Sequence, residues 1–318
     1  MYIKKIIILA AVMLTVFLFS GCGYVSGGGV LIEEKNLPAF SSISINTSSP
    51  KIELIESNRY GIEIFVPERF DTTWDVSDGK LTILVKQKGL GFSLHTRLSS
   101  YYVKVYYPAG TVFDDIALKS SSGSIRLPQA EVTYLDIASS SGSIDASAQN
   151  WARAFLETSS GSVAFSGSGG KASIVTASGS VQSDIGDCDA IQITTRSGSI
   201  VLNSNSNSPV VPAIDTQSGS IRINGVVWQD VTIGSKSGAT KINGKLLGNT
   251  SAESSSGSVS ISVNGDPSQY GYSLTPSSGT IHLDGERIGK PVVSSGSFEN
   301  NINVSTSSGS IRVDFKGN

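Results

Sequence analysis

The sequence predicts an all-β protein built as a single-stranded parallel β-helix, or β-solenoid. Three observations lead to this prediction: a Ser-Gly pair recurs along the chain, apolar and polar residues alternate around it, and no helical period competes. We call the glycines of these pairs the corner glycines: Gly123, Gly142, Gly161, Gly179, Gly198, Gly219, Gly238, Gly257, Gly279 and Gly309. Their successive steps are 19, 19, 18, 19, 21, 19, 19, 22 and 30 residues. Such a period predicts stacked units, here called rungs, of about 19 residues that share one core.

Residues at fixed distances from the corner glycines predict which side chains face the core. Five residues before the glycine every copy is apolar, and two residues after it all but one are. The two sets are Leu118, Ile137, Leu156, Ile174, Ile193, Ile214, Ile233, Ala252, Leu274 and Val304, and Ile125, Ile144, Val163, Val181, Ile200, Ile221, Thr240, Val259, Ile281 and Ile311. The residues between them, such as Asp136 and Gln192, are largely polar. A period of two predicts strands with one buried face.

The corners themselves predict a local geometry. Glycine permits a positive φ at a sharp bend. Three residues before it, nine of ten copies carry a hydroxyl: Ser120, Ser139, Thr158, Thr176, Thr195, Thr216, Ser235, Ser254 and Thr306, with Pro276 as the exception. An unpaired buried hydroxyl costs about 1 to 3 kcal/mol, so we expect these groups to bond to one another along the stack. Further corners are expected at Asn224-Gly225, Asn243-Gly244 and Asp284-Gly285, and the coil is expected to be right-handed.

The two ends of the repeat array depart from this regularity. Residues 42 to 55 fit the pattern if Pro50 replaces the glycine, and residues 58–110 keep strand character with longer spacing and an Asp78-Gly79 turn. We expect residues 35–110 to form irregular N-terminal rungs or a cap, and residues 111–318 to form the regular repeats. We expect the last strand of the chain to be an unpaired edge, whose charges at Arg312, Asp314 and Lys316 discourage pairing with another chain.

The first residues predict export and a lipid anchor. Lys4 and Lys5 precede an apolar run from residue 6 to 19, which is typical of a signal peptide. A transmembrane helix is the alternative, but a run of 14 residues falls short of the roughly 20 that a bilayer requires. Residues 18–22, Leu-Phe-Ser-Gly-Cys, resemble the bacterial lipobox, although Phe19 stands where Leu is usual. This resemblance implies a signal peptide over 1–21, a lipid on Cys22 and a flexible tether over 22–34.

Composition excludes several classes of function. The chain has 24 Lys and Arg against 26 Asp and Glu, a net charge of −2, which gives no reason to expect nucleic acid as a partner. Besides Cys22 the chain has one cysteine, Cys188, so no internal disulfide is expected once Cys22 is lipidated. Cys188 shares a position in the repeat with two tryptophans, which predicts a buried thiol rather than a reactive one. His95 and His282 lie far apart, and neither a zinc site nor any other cofactor is predicted.

Two sets of polar residues are candidates for ligand binding. Asp184, Asp187 and Asp189 are suited to collect a Ca²⁺ together with backbone carbonyls, or to form an exposed acidic turn. Three residues after the corner glycine, outward positions are occupied by Arg126, Arg222, Lys241, His282 and Arg312, interleaved with Asp145, Gln182 and Ser260. That mixed set is suited to acidic sugars or to a protein partner, but it is also compatible with a solvated face. No G-x-S-x-G nucleophile motif occurs, and no catalytic residue is predicted.

The serial S-G-S-[IV] corners, and the stretch VKVYYPAGTVFDDIALKSSSGSI over residues 103–125, resemble a bacterial family of extracytoplasmic β-strand repeat proteins. Proteins of that family are labelled as adhesins or as domains of unknown function, and the resemblance covers residues 35–318. It implies a non-catalytic, lipid-anchored protein of the cell envelope, whose rod displays a surface for adhesion or binding of a glycan or a surface protein. The alternatives are a carbohydrate-active enzyme on the same scaffold and an envelope-stress or assembly factor.

The inward and outward positions can be tested by placing a carboxylate on each side of one strand. Ile193→Asp buries an unpaired charge and is expected to lower the free energy of unfolding by more than about 4 kcal/mol. Gln192→Asp places the same group in solvent and should change the free energy of unfolding by less than about 0.5 kcal/mol. Urea unfolding followed by circular dichroism measures both values. Equal losses would mean that the two positions do not face opposite sides.

Overall fold

The computed structural model describes residues 24–25, 29–88, 101–289 and 291–317. The predicted signal peptide and Cys22 lie outside the described residues, as does His95. The described residues form 26 strands joined in one sheet, which confirms the all-β prediction. Within these ranges no helix is long and apolar enough to cross a bilayer.

The strands fall into three groups along the chain. The N-terminal group is β1 (Tyr24–Val25), β2 (Val30–Glu34), β3 (Ser42–Thr47), β4 (Lys51–Ser57), β5 (Gly61–Val66), β6 (Phe70–Ser77), β7 (Lys80–Gln87), β8 (Tyr102–Pro108) and β9 (Val112–Ser120). The central group is β10 (Ile125–Ser139), β11 (Ile144–Thr158), β12 (Val163–Thr176), β13 (Val181–Ser197), β14 (Ile200–Ser204), β15 (Val211–Ser218), β16 (Ile221–Gln229), β17 (Thr232–Ser237), β18 (Thr240–Leu247), β19 (Asn249–Ser256) and β20 (Val259–Asn264). The C-terminal group is β21 (Tyr270–Ser278), β22 (Ile281–Leu283), β23 (Glu286–Ile288), β24 (Val292–Val293), β25 (Asn300–Ser308) and β26 (Ile311–Lys316).

In the central group the rungs stack in parallel and in register. Ile144 pairs with Ile125 on one side and with Val163 on the other, and Val163 pairs with Val181. Equivalent residues of the repeat therefore lie above one another. The residues five before and two after each corner glycine are all buried, with at most 3% of their surface exposed. The inward positions predicted from the sequence are thus confirmed, and together they form the hydrophobic core.

The corner glycines lie directly against one another. A Cβ added to Gly161 would lie 2.1 Å from the carbonyl oxygen of Gly142, and the corresponding distance for Gly179 is 1.8 Å. At every corner glycine this distance to the neighbouring rung is between 1.8 and 2.3 Å, far inside van der Waals contact. Of the ten, only Gly219, Gly238 and Gly279 have a φ in the left-handed range. Close backbone approach, rather than the expected positive φ, is the requirement that all ten share.

The buried hydroxyls do not form the expected ladder. Ser120 accepts a hydrogen bond from the backbone N–H of Gly123 (2.8 Å), within its own rung, and the same bond recurs at the next three corners. From Gly198 onward the glycine N–H bonds instead to a carbonyl of the next rung, as from Gly198 to Ser218 (3.0 Å). Four of the nine corner hydroxyls, those of Thr195, Thr216, Ser235 and Ser254, have no hydrogen-bond partner among the described residues. The prediction of hydroxyl-to-hydroxyl bonding is therefore wrong: at the first four corners the glycine N–H takes the hydroxyl, and at these four later corners the hydroxyls do not bond to one another.

The Asn-Gly pairs also differ from expectation. Asn224-Gly225 and Asn243-Gly244 lie inside β16 and β18. Their glycines leave room for the buried Trp228 ring, since an added Cβ would lie 2.5 and 2.9 Å from ring atoms. Asp284-Gly285 is the expected left-handed turn, with φ values of 48° and 81°, and it joins β22 to β23.

At the C-terminal end the rungs do not follow chain order. β26 pairs with β20 on one side and with β22 on the other, and β25 lies between β19 and β21 in the same way. The last strands of the chain therefore occupy the next-to-last layer. The prediction that Arg312, Asp314 and Lys316 protect an open terminal edge is wrong, because both edges of β26 are paired. β23 and β24 close the stack by antiparallel pairing with β22 and β21.

The N-terminal end has the same arrangement. β3 and β4 lie between β7 and β8 on one side and β9 and β10 on the other. Pro50 takes the corner position as predicted, because its carbonyl oxygen faces Gly123. β6 and β5 close this end by antiparallel pairing, and β6 joins β7 through the predicted Asp78-Gly79 turn, with φ values of 50° and 72°. The C-terminal end is therefore covered by an internal segment of the chain. At the N-terminal end β2 pairs with the outer edge of β5, and β1 pairs with β2.

The layer order at the C-terminus can be tested by disulfide trapping. Ser260 pairs with Arg312, and adjacent parallel strands lie about 4.8 Å apart, which suits a disulfide. The double variant Ser260→Cys, Arg312→Cys should therefore cross-link on mild oxidation, as measured by mobility on a non-reducing gel. In Ser260→Cys, His282→Cys the two positions are separated by one more strand, about 9.6 Å, and should not cross-link. Stacking in chain order would reverse the two results.

Candidate binding groove

A polar groove runs along one side of the stack, across six successive rungs. It has a volume of about 670 Å³. Its lining residues are Gln129, Ser147, Gln149, Ser166, Gly167, Ser168, Asp184, Ile185, Gly186, Asn203, Ser204, Asn205, Asn224 and Gly225. They stand five to seven residues after the corner glycines, so in-register stacking repeats the same positions from rung to rung. Glycines at three of these positions contribute no side chains and keep the surface concave.

An asparagine ladder forms one wall of the groove. The Nδ2 group of Asn243 donates to Oδ1 of Asn224 (2.8 Å), and Asn224 donates in the same way to Asn203 (2.9 Å). Asn203 donates to Oδ1 of Asp184 (2.7 Å), which ends the series. The other carboxylate oxygen of Asp184 accepts a hydrogen bond from Gln182 (3.1 Å). The ladder depends on parallel register, because only then do identical amides lie one strand spacing apart.

Many hydrogen-bonding groups of the groove have no partner in the part of the chain that the structure describes. Each ladder asparagine has a second N–H and a second lone pair to offer. The side chains of Gln149, Asn205, Ser166 and Ser168 make no hydrogen bond to other described residues. Donors and acceptors thus lie along an open surface, and the carboxylate of Asp184 is the one charged group among its lining residues. Such a surface is suited to a ligand with many hydroxyl groups, because hydroxyls both donate and accept.

The three aspartates proposed for Ca²⁺ do not converge. Asp184 belongs to the ladder, Asp187 accepts a hydrogen bond from the hydroxyl of Ser206 (2.6 Å), and Asp189 is exposed. Among the described residues no three His, Cys, Asp or Glu side chains are grouped to hold a metal ion. The three aspartates are exposed and lie along β13, which agrees with the alternative prediction of an exposed acidic segment.

The corners and stacked strands characterise a known family. The Toastrack DUF4097 family model matches residues 40–206 and, in a second overlapping match, residues 170–314. The chain belongs to the Toastrack DUF4097 family. Two overlapping matches are expected of a Toastrack chain whose rungs repeat in register.

Solved structures that match the chain come from Bacteroides and Parabacteroides species. A candidate adhesin from Bacteroides fragilis is 16% identical with a TM-score of 0.45, and the match covers 68% of this chain and 97% of that one. A candidate adhesin from Parabacteroides distasonis is 11% identical with a TM-score of 0.31, covering 92% and 98%. A third, from Parabacteroides merdae, is 17% identical with a TM-score of 0.28, covering 76% and 95%. No curated protein sequence matches the chain.

A second polar cluster of this Toastrack chain lies on its N-terminal cap. Glu63 accepts hydrogen bonds from the hydroxyls of Tyr102 and Tyr106 (2.8 Å for Tyr106) and from Nζ of Lys104 (3.3 Å). Burial alone would raise the pKa of Glu63, but these bonds and the charge of Lys104 outweigh it and lower that pKa. Burial and the bond to Glu63 raise the pKa of Tyr106 to about 12. The cluster satisfies its own groups and fastens β5 to β8.

Cys188 is buried, as predicted. Its thiol lies 3.2 Å from the carbonyl oxygen of Gly170 and 3.4 Å from that of Ala190. Burial raises the pKa of the thiol to about 11, and the nearby charge of Asp189 acts in the same direction. At neutral pH the group is therefore protonated and shielded.

The state of Cys188 can be checked by its reaction with Ellman's reagent in a Cys22→Ala chain, where it is the single thiol. At pH 8 we expect the folded protein to react at least about 100-fold more slowly than the urea-unfolded protein, because both the thiolate fraction and access are reduced. Raising the pH toward 11 should accelerate the reaction of the folded protein. A folded rate close to the unfolded rate at pH 8 would contradict the assigned burial.

Proposed function

We propose that this Toastrack protein is a non-catalytic binding protein of the bacterial cell envelope, which adheres to extended glycans through the polar groove of its rod. The groove and its free amide and hydroxyl groups are the observation that supports this proposal most directly. The groove crosses six rungs and presents similar groups at about 4.8 Å intervals, which suits a polymer with a regular repeat.

The enzymatic alternative has less support in the groove. Glycoside hydrolysis ordinarily needs two carboxyl groups about 5 to 9.5 Å apart on either side of the scissile bond. Among the lining residues one carboxylate occurs, that of Asp184. Both of its oxygens accept hydrogen bonds from neighbouring amides, which suits an end group of the ladder better than a nucleophile or an acid.

The groove is tested by a glycan array with matched variants. Gln149→Ala, Asn205→Ala removes two side chains that make no hydrogen bond to another described residue, so folding should be unaffected. We expect the affinity for bound glycans to fall about tenfold, which corresponds to about 1.4 kcal/mol. The control Gln217→Ala removes an exposed amide outside the groove and should bind normally. A blank array, or equal binding by all three proteins, would count against the proposal.

The proposal also includes the lipid anchor, the division of the chain into segments, and a right-handed, single-stranded solenoid. We infer a signal peptide over residues 1–21, a lipidated Cys22, a cap over 35–110 and repeats over 111–318. The expectation of a flexible tether over 22–34 is wrong for Val30–Glu34, because these residues form β2 and pair with β5. The short apolar run and the lipobox-like segment support the anchor. In-register pairing at offsets near 19 residues supports a single-stranded solenoid, and the preference of parallel connections supports its right-handed coil.

The anchor is tested by metabolic labelling with a palmitate analogue. The wild-type chain should be labelled and should fractionate with membranes, whereas Cys22→Ala should do neither. Cys188→Ala is the matched control and should label like the wild type. Equal labelling of the Cys22→Ala chain would remove the anchor from the proposal.

A further inference from the structure

A row of basic side chains runs across the C-terminal rungs on the outward face beside the asparagine ladder. We call it the basic row, and its members in spatial order are Arg222, Lys241, Ser260, Arg312, His282 and Arg287. Each is the direct cross-strand neighbour of the next. Six positions at about 4.8 Å give a length of about 24 Å.

The row exists because β26, the last strand of the chain, lies between β20 and β22. In chain order Arg312 would follow His282, but insertion of β26 places it between Ser260 and His282. The closing hairpin then adds Arg287 opposite His282. Five of six adjacent positions thus carry a basic side chain.

Most of these charges are not neutralised within the protein. Among the described residues Arg222, Lys241 and Arg287 form no ion pair, and all three are exposed. Arg312 pairs with Asp314 (2.7 Å), yet its side chain remains 53% exposed. Arg222 and Lys241 are direct neighbours, and like charges opposite one another destabilise a sheet.

The same outward position is neutralised at the other end of the rod. There Arg126 lies between Glu53 and Asp145, at 3.6 and 3.9 Å, and Lys104 pairs with Glu63 at 3.3 Å. Alternating charges are therefore compatible with this scaffold. The unneutralised charges at the C-terminal end lack a structural explanation and point to an anionic ligand.

We propose that the basic row binds an acidic polysaccharide, a linear glycan carrying carboxylate or sulfate groups. This inference rests on the proposed function and names its substrate class. Asn224 lines the groove and lies two residues after Arg222 in β16, so both side chains are on the same face. A glycan chain leaving the groove would meet the row, and a regular polyanion would match charges repeated at one strand spacing.

The position of the row argues against lipid headgroups as its anionic ligand. Seven strand spacings, about 34 Å, separate Arg222 from Lys104 in β8, and the first described strands, β1 and β2, join that end of the stack through β5. The attraction of an anionic membrane surface falls off within a Debye length of about 8 Å at physiological salt. With the proposed anchor at the N-terminus and the rod upright on the membrane, the row lies outside the reach of the membrane charge.

The test compares two double variants of the full chain that lose the same charge. Arg222→Gln, Lys241→Gln weakens the row, whereas Lys119→Gln, Arg126→Gln removes basic groups that are paired with Asp136, Glu53 and Asp145. Binding to immobilised alginate and hyaluronate is measured between 50 and 300 mM NaCl, with neutral dextran as the reference. We expect the row variant to lose at least tenfold in affinity at low salt and to show a weaker salt dependence. The control variant should stay within twofold of wild type.

Three results would overturn the inference. One is an equal loss in both double variants. Another is no binding to either acidic polysaccharide. The third is row-dependent binding to phosphatidylglycerol vesicles or to a DNA duplex without binding to the polysaccharides. If neutral glycans still bind in a manner sensitive to Gln149→Ala, Asn205→Ala, only the row inference fails; if no glycan binds at all, the proposed function fails with it.

Discussion

The contact between stacked corner glycines is the constraint on which the rest of the structure depends. Each carbonyl oxygen sits where the next glycine would carry its Cβ, so any side chain there would push two rungs apart. Because the glycines lie directly over one another, the strand residues that flank each corner are also in register, and the register shifts in β10 to β13 lie farther from the corners, as between Gln149 and Trp151. The core follows from this alignment, since Ile125, Ile144 and Val163 pack in one column. The asparagine ladder and the basic row follow from the same alignment on the outer face.

Near both ends of the stack, the layer order departs from chain order in the same way. β3 and β4, like β25 and β26, lie between two other layers. A parallel stack must end in strands with unpaired edges, which invite association with other chains. Here β3–β4 and β25–β26 are enclosed, and short antiparallel hairpins close the layers outside them. β3, β4, β25 and β26 thus gain partners on both sides, whereas β1 pairs with β2 alone among the described strands. At the C-terminal end, fraying of β25 and β26 would first have to displace an internal segment of the chain.

Much of the layout could be predicted from the sequence, because burial in a strand depends on local alternation. The inward columns, the Pro50 corner and the buried Cys188 are of this kind. The layer order could not be predicted, since a rung containing Ile311 fits equally well beside Val259 or beside Ile281. The groove was also missed, although the recurrence of Asn203, Asn224 and Asn243 was visible as a signal. The Asn-Gly pairs at Asn224 and Asn243 favour a turn in sequence terms, and three aspartates within six residues suggest either a Ca²⁺ site or an acidic turn, so neither pattern by itself predicts a ladder.

The most direct test of the glycine contact is the free energy of unfolding of Gly161→Ala compared with Gly289→Ala. Neither glycine has a left-handed φ, so alanine strains neither backbone dihedral. At Gly161 the new Cβ would lie 2.1 Å from the carbonyl oxygen of Gly142, whereas at Gly289 nothing lies within 4 Å. We expect Gly161→Ala to lose at least about 3 kcal/mol in urea unfolding and Gly289→Ala to lose less than about 0.5 kcal/mol. Equal stability of the two variants would contradict the stacking of rungs through their corner glycines.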